Sequence, residues 1–458
     1  MRVGANMIVS CRDEVGPRGG RRDRGDPGKE SATPIGHGAG GRDLDETDGV
    51  EPEDKVTMPG KPATGDEQEK LGHTVKVLGL VSLFTDASSE MIYPLLPIFL
   101  TSVLGAGAVF LGVVEGIAEG TASVLKGFSG YFSDRLAKRK ALILAGYGIS
   151  TITKPFFAAA DAVWQVLAVR LVDRVGKGIR TSPRDAMIAD TTPPSIRGKA
   201  YGFHRAMDTL GAVVGPALAF LLMWLLRGQG NNAYRWVFLA AFFPGLIAVG
   251  LIVFSLREST FEGVARAPRL RLSGLSRNFK MLLLVVAVFG LGNSSDTFLL
   301  LRAQKLGMQP YIIPLLWMAF NAVYSVVSTP GGILSDRIGR KKTLMAGFVL
   351  YGLVYLGFGL AGHLYEIWLL MAAYGVFYGL TQGCLSAYVA DLSPPNMKGT
   401  AFGVFHTVDG ISKLLASVTF GIFWQLVSPG AAFFLGAALA MVAAVILWFF
   451  CAECAWTD

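Results

Sequence analysis

The sequence has little charge and little cysteine for its length. Charged residues make up 17% of its 458 residues, well below the quarter that is usual in soluble domains. The four cysteines, Cys11, Cys384, Cys451 and Cys454, are too few and too scattered for a disulfide framework. The last two form a Cys-x-x-Cys pair, but no second pair completes a metal site. We therefore expect neither a bound metal nor a cofactor.

Motifs of several enzyme classes are also missing. The sequence has no Gly-x-x-x-x-Gly-Lys-Ser/Thr loop, which argues against an ATP-driven pump. It has no His-x-x-x-His or Glu-x-x-His grouping that would indicate a metal-dependent enzyme. We predict that the protein is not an enzyme. A membrane-embedded enzyme acting on lipids and a transporter-like sensor remain the alternatives of another class.

Apolar sequence is abundant instead. Hydrophobic residues reach 52% and the mean hydropathy is +0.46. Stretches of about 20 apolar residues, enough to cross a bilayer core, recur from Val75 onward. We predict an all-α integral membrane protein with about twelve transmembrane helices, arranged as two six-helix halves around a central cavity. The predicted spans are 75–104, 108–132, 140–160, 163–185, 199–226, 235–256, 279–302, 310–334, 342–362, 366–391, 399–427 and 430–452.

Four regions follow from this pattern. Residues 1–72 are rich in charge and glycine and have no apolar signal-peptide core, so we predict a disordered cytoplasmic tail. Residues 73–256 and 279–458 are the two predicted halves, and the polar stretch 257–278 is the predicted central cytoplasmic loop.

The net charge of +8 is concentrated in short segments between apolar stretches. That distribution favours the lipid bilayer, and not nucleic acid, as the partner of the basic residues. Loops rich in Lys and Arg stay on the cytoplasmic side. We therefore expect a multi-pass protein of the plasma (inner) membrane that has both termini in the cytoplasm and functions as a monomer.

An internal repeat links the two halves at an offset of about 201 to 206 residues. Ala-Ser-Ser-Glu ending at Glu90 matches Asn-Ser-Ser-Asp ending at Asp296. The segment 130–140 matches 332–342, and 189–198 matches 390–399. Repeats in the same order, with their basic loops on the same side, predict halves related by an axis along the membrane normal.

These features resemble the major facilitator superfamily over about residues 75–452. Its Gly-x-x-x-Asp-Arg-x-Gly-Arg-Lys-Lys signature is intact from Gly332 to Lys342, and the first-half copy departs from it at Ala137. The resemblance implies a transporter. At the cytoplasmic ends of two helices, we predict that Asp134 and Asp336 accept hydrogen bonds at a neighbouring helix N-terminus, while Arg135, Arg337 and the basic residues after them stay in the anionic headgroup layer. Such contacts would latch the halves in one state. A simple stop-transfer charge cluster is the alternative reading.

Carboxylates inside the predicted spans are candidates for proton coupling, because an ionisable group in lipid needs a cavity or a partner. Asp86 and Glu90 lie one helical turn apart, as do Glu115 and Glu119. Repulsion and desolvation within each pair would favour gain and loss of a proton.

The fourth predicted helix supplies counter-charges, among which Arg170 and Arg174 share a face. Arg174-x-x-x-Gly178 resembles an arginine motif of proton-linked exporters in the family, although Lys177 departs from it. We predict a part in proton coupling for both arginines. An internal pair of Asp173 with Lys177, one turn apart, is the alternative.

The fifth predicted helix contains Gly211, Gly215 and Pro216, which resemble the Gly-x-x-x-Gly-Pro motif of antiporters in the same family. Small residues four apart let helices approach closely, and a proline can bend a helix. We predict a gating role. Ordinary helix packing is the alternative.

Polar groups of the second half are candidates for solute binding: Asn293, Asp296, Asn321, His406 and Asp409. Asp409 also lies one turn before Lys413, so a neutralised structural pair is the alternative reading there. Together these features predict a secondary active transporter that exports a small organic or amphipathic solute by proton antiport and alternating access. A proton-coupled importer is the alternative.

Overall fold

The computed structural model describes residues 71–136, 139–193, 196–258, 276–393 and 398–450. Within these ranges the chain is helical, and no residue forms a strand. The tail predicted over 1–72 lies almost entirely outside the described residues, as does most of the loop predicted over 257–278.

Twelve helical segments correspond one to one with the predicted apolar stretches. The first half contains α1 (His73–Ile92, followed by Leu96–Ile98 and the π-helix Phe99–Val103), α2 (Ala108–Leu136), α3 (Arg139–Ala159), α4 (Val163–Asp190), α5 (Arg197–Leu225) and α6 (Asn232–Ala240 and Phe242–Ser255). The second half contains α7 (Arg277–Gly292 and Thr297–Lys305), α8 (Ile313–Ile338), α9 (Arg340–Leu360), α10 (Leu364–Leu392), α11 (Lys398–Leu426) and α12 (Pro429–Phe450). We call the face at which α1 begins the terminal face, and the other the opposite face.

Nine of the described segments are long and apolar enough to cross a bilayer. The remaining three are α1, α4 and α11, whose charged side chains lower their hydropathy. Large apolar side chains project from the bundle: Phe254 is 89% exposed and Leu360 is 74% exposed. Such a surface is stable only against lipid, which identifies an integral membrane protein.

The internal repeat reappears in the packing. Helix α1 packs against α5 and α6, and α7 packs in the same way against α11 and α12. Likewise α4 packs against α2 and α3, and α10 against α8 and α9. The two halves meet where α2 packs against α11 and where α5 packs against α8. This arrangement confirms the two six-helix halves predicted from the sequence.

Glycines allow α2 and α11 to approach closely. A Cβ atom on Gly112 would lie 2.1 Å from the carbonyl oxygen of Ser417, and one on Gly421 would lie 2.6 Å from the carbonyl oxygen of Ala108. Because glycine has no side chain, the two backbones pack directly against each other at this contact. Van der Waals packing of this kind is a main source of helix association in lipid.

Candidate functional site

A cavity of about 220 Å³ lies between the halves in the described part of the structure. Its first-half lining is mostly charged: Asp86, Ser89, Glu90, Tyr93, Glu119, Asp173, Arg174, Lys177 and Arg180. Its second-half lining is mostly polar and aromatic: Asn293, Ser294, Ser295, Asp296, Trp317, Tyr378, Lys413 and Ser417. The cavity therefore presents two chemically different walls.

Helix α7 unwinds where it lines the cavity. The helix stops at Gly292 and resumes at Thr297, and all four residues between them face the cavity. Freed backbone groups find side-chain partners: Tyr351 donates to the carbonyl oxygen of Gly292 at 2.9 Å, and the amide of Ser295 donates to Ser417 Oγ at 3.2 Å. The single predicted span 279–302 thus consists of two helices, a form tolerated in membranes where the backbone lines a cavity.

Two ion pairs join α2 to α4 on successive helical turns. Arg170 Nη2 lies 3.0 Å from Glu115 Oε2, and both side chains are buried. Arg174 Nη1 lies 3.5 Å from Glu119 Oε1. The expected repulsion between the two glutamates is therefore replaced by pairing of each glutamate with an arginine.

The alternative pair predicted within α4 does not form in the described structure. Asp173 Oδ1 instead lies 3.3 Å from Lys154 Nζ, and its other oxygen lies 4.0 Å from Arg174 Nε. Lys154 also donates to Ser89 Oγ at 3.3 Å. Because α3 supplies the counter-ion of Asp173, Lys177 lines the cavity without a carboxylate within 4.0 Å among the described residues.

The two candidate carboxylates of α1 lack a cation. Neither Asp86 nor Glu90 lies within 4.0 Å of a lysine or arginine nitrogen among the described residues. Glu90 Oε2 accepts a hydrogen bond of 2.6 Å from Trp317 Nε1, which belongs to α8 of the other half. Trp317 also packs on Tyr93, with ring centroids 5.0 Å apart.

The glycines of α5 position these carboxylates. A Cβ atom on Gly211 would lie 2.4 Å from the carbonyl oxygen of Leu83, and one on Gly215 would lie 2.5 Å from that of Ala87. The motif predicted to gate therefore holds α5 against α1 within one half, and Pro216 lies inside the same helix.

Asp296 is the carboxylate of the second-half wall. Tyr374 donates to its Oδ1 at 2.6 Å, and Tyr378 donates to its Oδ2 at 3.3 Å. Like the carboxylates of α1, Asp296 has no cationic partner within 4.0 Å in the described structure. Neutral hydroxyl donors thus hold it in place.

Three other predicted solute-binding residues do not line the cavity. Asn321 is buried and donates to the carbonyl oxygen of Trp317 at 3.0 Å in its own helix. His406 packs near the ring of Phe405. Asp409 Oδ2 lies 2.9 Å from Lys413 Nζ, which matches the alternative reading of a structural pair. Lys413, the partner of Asp409, does line the cavity.

At the terminal face, the predicted latch is only partly visible. The side chains of Asp134 and Arg135 lie outside the described part of the structure. Asp336 Oδ1 lies 2.5 Å from Arg340 Nη1, and Arg337 is exposed. Gly339, between them, has a φ of +96°, which side-chain-bearing residues rarely adopt and which explains the glycine of the signature.

A symmetric pair of ion pairs at this face was not predicted. Arg139 pairs with Asp190, and the residues 201 positions later do the same, with Arg340 Nε 3.5 Å from Asp391 Oδ2. Each pair ties the start of one helix to the end of the next within its own half. All four residues lie within the repeated segments 130–140, 332–342, 189–198 and 390–399, so a comparison of the two copies could have predicted these ion pairs.

Comparisons with known proteins agree with this architecture. The family model for the Major Facilitator Superfamily matches residues 78–320 and 281–453. An uncharacterized MFS-type transporter from Methanocaldococcus jannaschii is 35% identical over 401 residues, which cover 86% of this chain and 99% of that protein.

Two solved structures have a similar fold. A POT family transporter in complex with 5-aminolevulinic acid has a TM-score of 0.69 at 11% identity and covers 82% of this chain and 96% of its own. A D-xylose-proton symporter has a TM-score of 0.65 at 14% identity and covers 83% and 98%. With its repeated halves, central cavity and signature motif, the chain belongs to the major facilitator superfamily and is a membrane transporter, not an enzyme.

Proposed function

We propose that the protein couples the movement of protons to the export of a small organic solute. One observation carries the proposal: the cavity contains three carboxylates, Asp86, Glu90 and Asp296, without a cation within 4.0 Å in the described structure. A carboxylate held in a low-dielectric site by a cation stays charged, whereas one held by neutral donors can exchange a proton.

The same geometry divides the predicted proton-coupling residues into two groups. Glu115 and Glu119 face arginines and serve as fixed ionic links between α2 and α4. Asp86 and Glu90 are the members available for protonation. The arginines predicted to take part, Arg170 and Arg174, then act by neutralising α2 and by shaping the cavity wall.

Antiport follows if the solute brings a cationic or donating group to these carboxylates. Such a group and the proton would compete for the same oxygens, so binding of one would release the other. Import by symport requires the reverse, with proton and solute bound together; the similar fold of a D-xylose-proton symporter makes this the second candidate.

Orientation and assembly complete the proposal. Among the described residues, basic side chains at the terminal face include Lys140, Arg197, Lys199, Arg337, Lys341 and Lys342, whereas those at the opposite face are Arg227, Arg235, Arg302 and Lys305. We infer that the terminal face is cytoplasmic in the plasma (inner) membrane. Both halves that enclose the cavity come from one chain, which suits a functional monomer.

Proteoliposomes loaded with the pH-sensitive dye pyranine test the coupling. Purified protein should move protons when a transported solute from a panel of amines, zwitterions and acids is added, and in the direction opposite to the solute. Glu90→Gln and Asp86→Asn should uncouple the two fluxes, while Asp161→Asn, at an exposed pair with Arg235, should not. Solute uptake that does not change with a pH gradient would contradict proton coupling. Proton flux in the same direction as the solute would establish symport.

A further inference from the structure

Helix α4 carries more positive charge than its neighbours neutralise. Arg170 and Arg174 pair with glutamates of α2. Lys177 and Arg180, the next two cations along the helix, have no carboxylate within 4.0 Å in the described residues. Their spacing of three residues puts them on one face, and both line the cavity.

Arg180 packs against an aromatic ring, but one of its hydrogen-bond donors has no acceptor. Its side chain is buried, and its guanidinium carbon lies 4.3 Å from the ring centroid of Tyr147. Its Nη1 atom is buried without a hydrogen-bond partner. A buried guanidinium donor without an acceptor is costly, and an anionic acceptor offsets that cost best.

The remaining lining offers acceptors. Asp86, Glu90 and Asp296 present carboxylate oxygens, and Asn293 Oδ1 is buried without a partner. Tyr93, Trp317 and Tyr378 add aromatic surface on the same cavity. A ligand matching this lining needs an acid group, a donating group and an apolar body.

We propose that Lys177 and Arg180 form a subsite for an acid group, and that the transported solute is a small amphoteric molecule. Its carboxylate or phosphate binds the two cations, and its amine faces the carboxylates that otherwise hold protons. The inference rests on the proposed function, because it takes the cavity to be the transport site. It adds the substrate class, and it assigns Lys177 and Arg180 to the binding of an acid group.

Asp86 competes for the subsite, and Glu119, which pairs with Arg174, also acts electrostatically on Lys177. Asp86 lies within electrostatic range of both cations, although no atom pair comes within 4.0 Å. An incoming acid group therefore takes the position nearest the cations, while Asp86 turns to the proton or to the amine of the solute. If Asp86 were instead the permanent counter-ion of Lys177 and Arg180, Asp86→Asn would lower the stability of the protein and would not strengthen the binding of an acid group.

Three probes that share one phenylethyl body separate these possibilities: phenylalanine, 3-phenylpropionate and phenethylamine. Binding to the purified full-length protein is measured by calorimetry at millimolar probe. Phenylalanine should bind at least about tenfold tighter than phenethylamine, consistent with charge-assisted hydrogen bonds. Lys177→Gln and Arg180→Gln should remove that advantage and should not weaken binding of phenethylamine, which has no acid group.

Controls keep the result interpretable. Lys305→Gln removes the same charge at the opposite face, where Lys305 lies over Trp424, and should not change binding of any probe. Arg180→Lys keeps the charge and should keep most of the binding, which separates recognition from folding. Acid-bearing probes that bind wild type no better than phenethylamine, or not at all, would overturn the subsite. Proton-coupled flux that persists in that case would leave the proposed function standing, whereas acid binding without any proton flux would leave only the subsite.

Discussion

The indole nitrogen of Trp317 donates a 2.6 Å hydrogen bond to Glu90 Oε2, so a carboxylate of the first half is held by the second half. The bond spans the interface between the halves, along which they would separate in the proposed alternating-access mechanism. A change in the charge of Glu90 would therefore alter a contact between the halves, and if Glu90 binds the coupled proton as we propose, proton binding and conformational change involve the same atoms.

Glu90→Gln should separate the two effects. The glutamine oxygen still accepts from Trp317, so we expect folding near wild type while pH-driven uptake in proteoliposomes is lost. Trp317→Phe should do the converse, keeping the titratable group and removing the bond. Equal pH dependence in wild type and Glu90→Gln would show that Glu90 carries no coupled proton.

The buried pair of Arg170 with Glu115 should behave as structure. Glu115→Gln leaves a buried guanidinium without its counter-ion, and breaking such a pair costs on the order of 3–5 kcal/mol. Thermal unfolding in detergent should show a large loss for the single variant. The double variant Glu115→Gln with Arg170→Gln should regain part of that loss.

If Glu115→Gln were as stable as wild type but deficient in proton flux, Glu115 would have a role in proton coupling and not a structural one.

The glycine contact between α2 and α11 gives a third prediction. Gly112→Ala places a Cβ atom 2.1 Å from the carbonyl oxygen of Ser417, so the halves must move apart. Overpacking of this kind costs about 1–3 kcal/mol. We expect a lower unfolding temperature and slower transport.

Gly148→Ala in α3 is the matched control, since nothing lies within 4 Å of its added Cβ. It should be neutral or stabilising by about 0.5–1 kcal/mol, as alanine favours helix over glycine. Equal behaviour of the two variants would show that the α2 and α11 contact tolerates separation.

The opposite face offers a way to lock the halves. Gln304 Nε2 donates to Ser102 Oγ at 2.6 Å across the interface, and Gln425 Oε1 accepts from the amide of Val109 at 3.2 Å. In a background without native cysteines, Ser102→Cys with Gln304→Cys should be joined by a short reducible bifunctional reagent. We expect transport to stop and to return on reduction. Full activity of the joined protein would mean that this face does not open during transport.

The twelve segments could be predicted because lipid imposes a strict length and hydropathy on each helix. The repeat also located both copies of the terminal-face motif. The break in α7 was not predictable from hydropathy alone, because the Ser-Ser-Glu of residues 88–90 stays within the continuous helix His73–Ile92, whereas the matching Ser-Ser-Asp of residues 294–296 does not form a continuous helix.

Partners across helices were the least accessible part of the site. Spacing correctly placed Glu115 and Glu119 on one face, but the choice between mutual repulsion and pairing depended on the distance from α2 to α4. In the same way, Asp173 had an equally spaced partner in Lys177, and only the fold shows that Lys154 of α3 takes that place. Helix periodicity fixes which side chains share a face, whereas helix packing decides which charges meet.

The unwound stretch of α7 bears on how this transporter can change its substrate. Residues 293–296 line the cavity where the helix is interrupted, and the amide of Ser295 is bonded to Ser417 Oγ. A replacement at Asn293 changes the cavity lining without breaking a continuous helix. Asp173 and Arg174 on the charged wall are tied into ion pairs that join helices, so we expect substrate preference to change at the interrupted helix with less loss of stability than at those two residues.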